Sequence, residues 1–214
     1  MFTASRFAHL MGTAGALSLL ALAFPAHAVQ KGDWLIRGGV GQVSPTGEGQ
    51  SAAGKVEADS ATSLTVNLAY MMTDNWGVDL LAALPFKHDI DLEGAGTVGE
   101  TKQLPPTLIL FYNFNPKSAT RFYAGAGLNY TTFFSEKTSG ALAGTDLKLD
   151  DSFGLALEAG VDIDINKDMY FNASLWWMDI DTEAEITAGG APVVPKFDVE
   201  IDPWVLSVGI GWRF

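Results

Sequence analysis

Residues 204–214 read Trp204-Val205-Leu206-Ser207-Val208-Gly209-Ile210-Gly211-Trp212-Arg213-Phe214. Successive side chains of a strand point to opposite faces. Trp204, Leu206, Val208, Ile210, Trp212 and Phe214 therefore share one face, and Val205, Ser207, Gly209, Gly211 and Arg213 the other. The first face is bulky and apolar, with aromatics at both ends; the second is nearly all small. A soluble sheet would bury the bulky face against another layer, and a strand of a soluble sandwich is the competing reading of this stretch alone. A closed barrel in a bilayer accounts for both faces at once, with the large side chains in lipid, the small ones in a crowded lumen and the aromatics at the two interfaces.

Seven earlier segments repeat the pattern. Strand one, about 33–45, turns Trp34, Ile36, Gly38 and Val40 outward and Arg37, Gly39 and Gly41 inward. Strand two, about 61–73, sets Leu64, Val66, Leu68, Tyr70 and Met72 against Thr65, Asn67, Ala69 and Met71. Strand three, about 76–88, sends Trp76, Val78, Leu80, Ala82, Leu84 and Phe86 outward and leaves Asp79, Leu81, Ala83 and Pro85 inside. Strand four, about 101–114, places Leu108, Leu110, Tyr112 and Phe114 outside and Thr107, Ile109, Phe111 and Asn113 within. Strands five and six, about 121–135 and 148–165, alternate in the same way, with Tyr123, Gly125, Gly127, Asn129, Thr131 and Phe133 inward in one and Ser152, Gly154, Ala156, Glu158, Gly160 and Asp162 in the other. Strand seven, from Met169, keeps Asn172, Ser174, Trp176 and Met178 for the lumen.

The connections near 74, 117 and 167 are short, whereas those over 46–60, 88–100, 136–147 and 181–197 are long and rich in Gly, Asp, Glu, Thr and Ala. Strict alternation of short and long connections predicts an all-β, eight-stranded antiparallel up-and-down transmembrane barrel. Its short turns and both termini should be periplasmic and its long loops external. No outward position in the middle of a strand is charged, as a bilayer requires, since Arg or Lys at its midplane costs ~2–4 kcal/mol.

The N-terminus reads as a targeting segment. Arg6 is followed by an apolar run from about Leu10 to Phe24, too short to span, and by Ala26-His27-Ala28 as a small-residue cleavage site. Residues 1–28 are expected to be a cleaved signal peptide and 29–214 the barrel domain. Loss of Arg6 leaves 12 basic against 25 acidic side chains, a net charge of −13, which argues against nucleic acid as a partner. There is no cysteine, so disulfides and thiolate metal sites are excluded. No cofactor and no metal are expected.

Several segments resemble the OmpW family of small outer-membrane proteins: Met72-Thr73-Asp74-Asn75 with Gly77-Val78, Leu104-Pro105-Pro106-Thr107, Gly125 to Phe133, Trp177 to Asp181, and Asp202-Pro203-Trp204-Val205. The resemblance spans the mature chain in order and departs mainly in the long loops. It implies an eight-stranded barrel in the outer membrane of a Gram-negative bacterium, associated with passive uptake of small hydrophobic molecules. Expected partners are outer-membrane lipid and lipopolysaccharide, small hydrophobic solutes, the barrel-assembly machinery through the C-terminal Phe214, and phage or bacteriocin at the loops.

Independently, an eight-stranded barrel has room only for side chains or one small ligand, which disfavours a water-filled pore. Ranked by height, Arg37, Asp79, Glu158, Asp162, Arg121 and Arg213 fall near the periplasmic end, where ions of both signs would form a polar plug. Leu81, Ile109, Phe133, Trp176 and Met178 fall higher and predict an apolar upper lumen or gate, where a solute gains ~25 cal/mol per Å2 of apolar area buried. A solute stopped by the plug needs a lateral exit. With a hairpin tip at Gly94-Ala95-Gly96, Pro85 would lie opposite Pro105, and neither these prolines nor Pro106 can donate a ladder hydrogen bond. A gap there would open toward the outer leaflet; the alternative is that the prolines only end pairing above the membrane.

Three other readings compete. Asp162-x-Asp164-x-Asn166 has the opening spacing of a calcium loop, but Lys167 stands where Gly is needed and Ala173 where Glu belongs. A lipid-modifying enzyme would use His88 with Asp89 or Asp91 orienting it, yet no nucleophile motif accompanies it, and the chain is read as a non-enzyme. A barrel serving only as adhesin or receptor would have a filled upper lumen.

Overall fold

In the computed structural model, residues 28–214 are described. The expected leader, with its Ala26-His27-Ala28 site, lies outside the described residues except for Ala28. The strands, numbered along the chain, are β1 (Trp34–Ser44), β2 (Gly49–Ser51), β3 (Gly54–Ala58), β4 (Ala61–Met71), β5 (Trp76–Ala83), β6 (Phe86–Leu92), β7 (Gly96–Leu104) and β8 (Thr107–Asn113). They continue as β9 (Thr120–Thr138), β10 (Asp146–Leu149), β11 (Ser152–Asp164), β12 (Met169–Met178), β13 (Asp181–Ala188), β14 (Ala191–Pro192), β15 (Phe197–Glu200) and β16 (Trp204–Arg213).

Eight of these close a ring of antiparallel pairs, β1-β4-β5-β8-β9-β11-β12-β16, with β16 returning to β1 from Leu35↔Arg213 to Ser44↔Trp204. The alternation read from the sequence is its inside and outside. Ala69, Met71, Ile109 and Trp176 are fully buried in the bore, while Leu64, Val66, Leu108, Leu128, Leu155, Leu157, Leu206 and Val208 stand on the outer wall. Aromatics cluster where that wall ends at the short turns: Trp34 packs on Tyr70 at 4.9 Å and Trp76 on Tyr112 at 5.1 Å between ring centroids. The short turns are held by side chains that take otherwise unpaired amides. Thr73 Oγ1 accepts from the N–H of Asn75 and Trp76, and Asn166 Oδ1 from those of Asp168 and Met169.

The bore fills by pairing large lumen residues with glycine. Tyr170 lies across from Gly211, Tyr123 from Gly160 and Phe111 from Gly77, and in each pair a methyl group on the glycine would overlap the ring.

The four long connections are not loops. They fold into a second antiparallel sheet, ordered β10-β13-β15-β2-β3-β6-β7 and joined to the upper half of β9, which extends the barrel beyond its outer-wall apolar band. Their alternation is real but muted. Thr182, Ala184 and Ile186 of β13 point inward and are buried, while Glu183 and Glu185 point to the outside and pair with Lys196.

Strand three of the sequence reading is β5 and β6, and the inward parity changes between them. Asp79 and Leu81 are buried in β5, but Phe86 and His88 in β6, while Leu84 and Pro85 are exposed. Phe86, expected outside, is only 2% exposed and inside. The opposing chain keeps one parity from Thr101 through Ile109, so β5–β6 carries one extra residue, which flips every side chain beyond it. The expected Pro85–Pro105 opposition fails for the same reason. The hairpin closes at Leu92↔Gly96, a bulge follows at Ile90/Asp91, and the ladder then runs to Phe86↔Gln103. Strand six breaks likewise, into β10 and β11 at Asp150-Asp151.

Candidate functional site

The bore has three levels. At the short-turn end lies an ionic plug. The Arg37 guanidinium donates to Asp79 at 2.8 Å and takes Asp162 with two nitrogens at 3.1 and 3.3 Å. Asn67 and Asn172 hold the two carboxylates from either side, the latter at 2.8 Å from Asp162. The Arg37 guanidinium also lies 4.7 Å from the Tyr123 ring centre. Below it, Arg121 and Arg213 share Asp164 at 2.7 and 3.5 Å. Charges so buried persist only when paired; every one of these is in an ion pair, and Asn67 and Asn172 add hydrogen bonds to the Arg37 group. Of the residues expected near the periplasmic end, Arg37, Asp79 and Asp162 thus come together in one ion-pair group and Arg121 and Arg213 in a second, around Asp164 of the calcium-like triplet as the shared anion. Glu158 differs: it is buried near Tyr123, lies in neither ion-pair group, and has the Asp79 and Asp162 carboxylates as like-charged neighbours.

Above the plug the bore is apolar and packed. Leu81, Ile109, Trp176 and Met178 belong to one buried cluster with Phe111 and Phe133. Trp176 satisfies its indole N–H within its own strand, on Ser174 Oγ at 2.9 Å. A small polar bracket, Thr107 with Asn129 at 2.8 Å and Asn129 with Thr131 at 2.7 Å, ties β8 to β9 at the same level.

The open space lies one level higher, inside the extension. A cavity of about 80 Å3 is walled by Ile90, Val98, Leu147, Leu149, Phe197 and Val199 among others, with Phe133 as its link to the barrel. Of the five residues expected to line an upper lumen, Phe133 alone borders this cavity; the other four pack beneath it. The sequence reading missed the cavity because its walls come from segments taken for loops. His88 also lines it. Its Nδ1 lies 2.6 Å from the Asp59 carbonyl, and burial pushes the imidazole below its ordinary pKa, against the pull of that carbonyl. Asp89, one of the two expected orienting partners, lies on the outer face of β6, near Lys87.

Beside the cavity floor the wall is unpaired. The β5–β8 ladder ends at Leu81↔Thr107 and the β6–β7 ladder begins at Phe86↔Gln103, so residues 82–85 and 104–106 face one another without a ladder. The prolines do not contribute equally. Leu84 N–H bonds the Leu64 carbonyl of β4, and the Pro106 carbonyl accepts from Tyr130 N–H of β9. Because backbone groups alternate sides along a strand, Pro85 and Pro105 face the gap and Pro106 faces away from it.

Three carboxylates, Asp179, Asp181 and Asp202, gather at the junction of barrel and extension. Asp202 Oδ1 accepts the Ile180 N–H at 3.1 Å, and burial followed by repulsion from Asp202 and Asp179 pushes the Asp181 carboxyl up.

The family model described as "OmpW family" matches residues 30–214. The chain belongs to the OmpW family. It is 42% identical over 202 residues to outer membrane protein W of Vibrio cholerae, covering 89% of this chain and 92% of that protein. The crystal structure of the outer membrane protein OprG from Pseudomonas aeruginosa superposes with a TM-score of 0.81 at 41% identity, over 89% of this chain and 99% of that one. A more distant relative, the dibenzothiophene metabolism operon protein PahQ of Pseudomonas aeruginosa, is 28% identical over 166 residues and 75% of each chain. The protein is thus an outer-membrane β-barrel, and its eight-stranded ring is the family architecture.

Proposed function

We propose that this barrel takes up small hydrophobic molecules passively, receiving them in the extension cavity and releasing them sideways into the outer leaflet. The observation that carries the reading is the pairing of an apolar chamber with a bore closed by buried ion pairs. A solute that leaves water in the chamber is rewarded by ~25 cal/mol per Å2 of apolar area, yet crossing the Arg37–Asp79–Asp162 layer would mean breaking a buried charge network. The axial path is closed to it. The unpaired stretch between residues 82–85 and 104–106 adjoins Gln103 and Phe133 of the cavity, and it opens beside Leu84, which stands exposed on the outer wall. In this reading the extension is external, and the short turns and both termini are periplasmic. The relation to a protein named for dibenzothiophene metabolism, a fused-ring apolar compound, supports the solute class.

Uptake of n-octane by outer-membrane-competent cells, with and without the protein, tests the proposal. Phe133→Asp sets a charge between cavity and gap and should abolish the protein-dependent uptake, with heat-modifiable electrophoretic migration reporting that the barrel still folds. Unchanged uptake in a folded Phe133→Asp protein rejects the route.

A further inference from the structure

The cavity is not uniformly apolar. His88 and Gln103 both line it and are 3% and 1% exposed. His88 pairs with Thr101 and Phe86 with Gln103 across β6 and β7, which makes His88 and Gln103 diagonal neighbours on the inward face, within reach of one small group. Each presents a nitrogen with no partner, His88 Nε2 and Gln103 Nε2.

Their hydrogen-bonding senses differ. The Asp59 carbonyl can only accept, so the 2.6 Å contact places a proton on His88 Nδ1. A neutral imidazole protonated at Nδ1 carries a lone pair at Nε2 and must accept there. The Gln103 amide nitrogen can only donate. An unmet acceptor and an unmet donor thus sit side by side in an apolar chamber, where each is costly until a ligand supplies the partner.

We infer that the extension cavity is a binding site for hydroxyl-bearing apolar molecules, primary aliphatic alcohols being the simplest, with the head group between His88 and Gln103. A hydroxyl donates to His88 Nε2 through its hydrogen and accepts from Gln103 Nε2 through its oxygen, satisfying both groups at once. An alkane satisfies neither, and a carboxylate has no proton to give the imidazole. The alkyl chain then runs along Ile90, Val98, Leu149 and Val199. The inference deepens the proposed uptake function and rests on it only for transport, because binding can be read separately.

Two measurements test it. In lipid nanodiscs of dimyristoyl phosphatidylcholine, the His88 imidazole 15N resonances, assigned by their loss in His88→Gln, should move at Nε2 on titration with 1-octanol and stay put with n-octane. An Nε2 resonance that ignores 1-octanol, or answers both solutes alike, overturns the hydroxyl site. In uptake, the 1-octanol to n-octane ratio should fall about tenfold in the His88→Phe/Gln103→Leu protein, the loss expected for a hydrogen-bonded head group. An unchanged ratio in folded protein also overturns the site but leaves the channel standing. A wild type that passes neither solute overturns the channel reading instead, and the nanodisc titration still decides the site.

Discussion

Tyr170 of β12 lies directly across from Gly211 of β16 and occupies the space that a side chain on Gly211 would need. The same residue reaches toward the plug: its ring centre lies 5.5 Å from the Arg121 guanidinium and 5.9 Å from that of Arg37. The glycine thus makes room for an aromatic ring beside the ions. Gly211→Val should destabilise the barrel by about 1–3 kcal/mol, as overpacking does. Gly38→Ala, on the outer wall with nothing within 4 Å, should shift stability by no more than about 0.5 kcal/mol. Urea unfolding in detergent, followed by tryptophan fluorescence, compares the two; equal losses would mean that the lumen is not packed as described.

The plug predicts opposite outcomes for two neighbouring carboxylates. Asp162 takes two hydrogen bonds from Arg37 and one from Asn172, so Asp162→Asn leaves a buried guanidinium short of charge and should cost about 3–5 kcal/mol. Glu158 is buried outside both ion-pair groups, with the Asp79 and Asp162 carboxylates as like-charged neighbours. Glu158→Gln removes an ionisable group from beside two like-charged carboxylates and should be neutral or stabilising by about 1–3 kcal/mol. The same urea titration reads both. A Glu158→Gln protein as weak as Asp162→Asn would show that Glu158 is an integral member of the plug.

The barrel was legible because lipid imposes a rule on every outward residue, so that Leu206 and Val208, or Leu155 and Leu157, declare the face they occupy. Ion pairing was legible in part. Arg37, Asp79 and Asp162 fall at one height once strand directions are assigned, but Asp164 lies just past the residues assigned to the lumen, in a triplet whose calcium-loop spacing fails at Lys167 and Ala173. The extension was hidden for a different reason. Water bathes its outside, so β13 needs only Thr182, Ala184 and Ile186 on its inner face, and the acidic residues between them suggest a loop. The extra residue near Pro85 leaves no trace in composition, and it reversed the placement of Phe86 and brought His88 inside. His88 could have been found only by allowing the proline to change the register.

Acid should loosen the extension before the barrel. His88 is held below its ordinary pKa by burial, so the unfolded segment takes up a proton first as pH falls. The stability tied to neutral His88 is complete above about pH 6.5 and declines below it. The groups around it are Glu57 on the cavity wall, Asp59 through its carbonyl, and Asp89 on the outer face. Glu100 acts in the same direction lower down. Lys137 and Lys87 hold its carboxyl down to about 2, a contribution present above the ordinary carboxylate range and lost as pH falls toward 2. Amide protection factors, taken relative to the intrinsic exchange rate at each pH, should therefore fall in β6 and β7 between pH 7.5 and 5 while those of β12 and β16 hold, and His88→Gln should flatten that dependence. A uniform change in protection across both regions would deny the extension a pH response of its own.

The gap in the wall predicts a graded response among its three prolines. Pro85 and Pro105 face it, so alanine at both supplies two N–H donors where the β5–β6 and β7–β8 chains run past each other unpaired. Their carbonyls remain, and the Thr107 hydroxyl keeps its 2.9 Å bond to that of residue 105. Alanine at Pro106 adds its donor on the opposite side, toward β9, where the Tyr130 N–H already pairs with the Pro106 carbonyl at 3.0 Å. If apolar solutes leave through this window, Pro85→Ala/Pro105→Ala should slow protein-dependent n-octane uptake several-fold by letting the ladder close, each new bond contributing about 1 kcal/mol. Pro106→Ala should leave the rate near that of the wild type. Equal rates in all three proteins would place the exit elsewhere in the wall, and equal losses would mean that the prolines matter through strand rigidity rather than through the side they face.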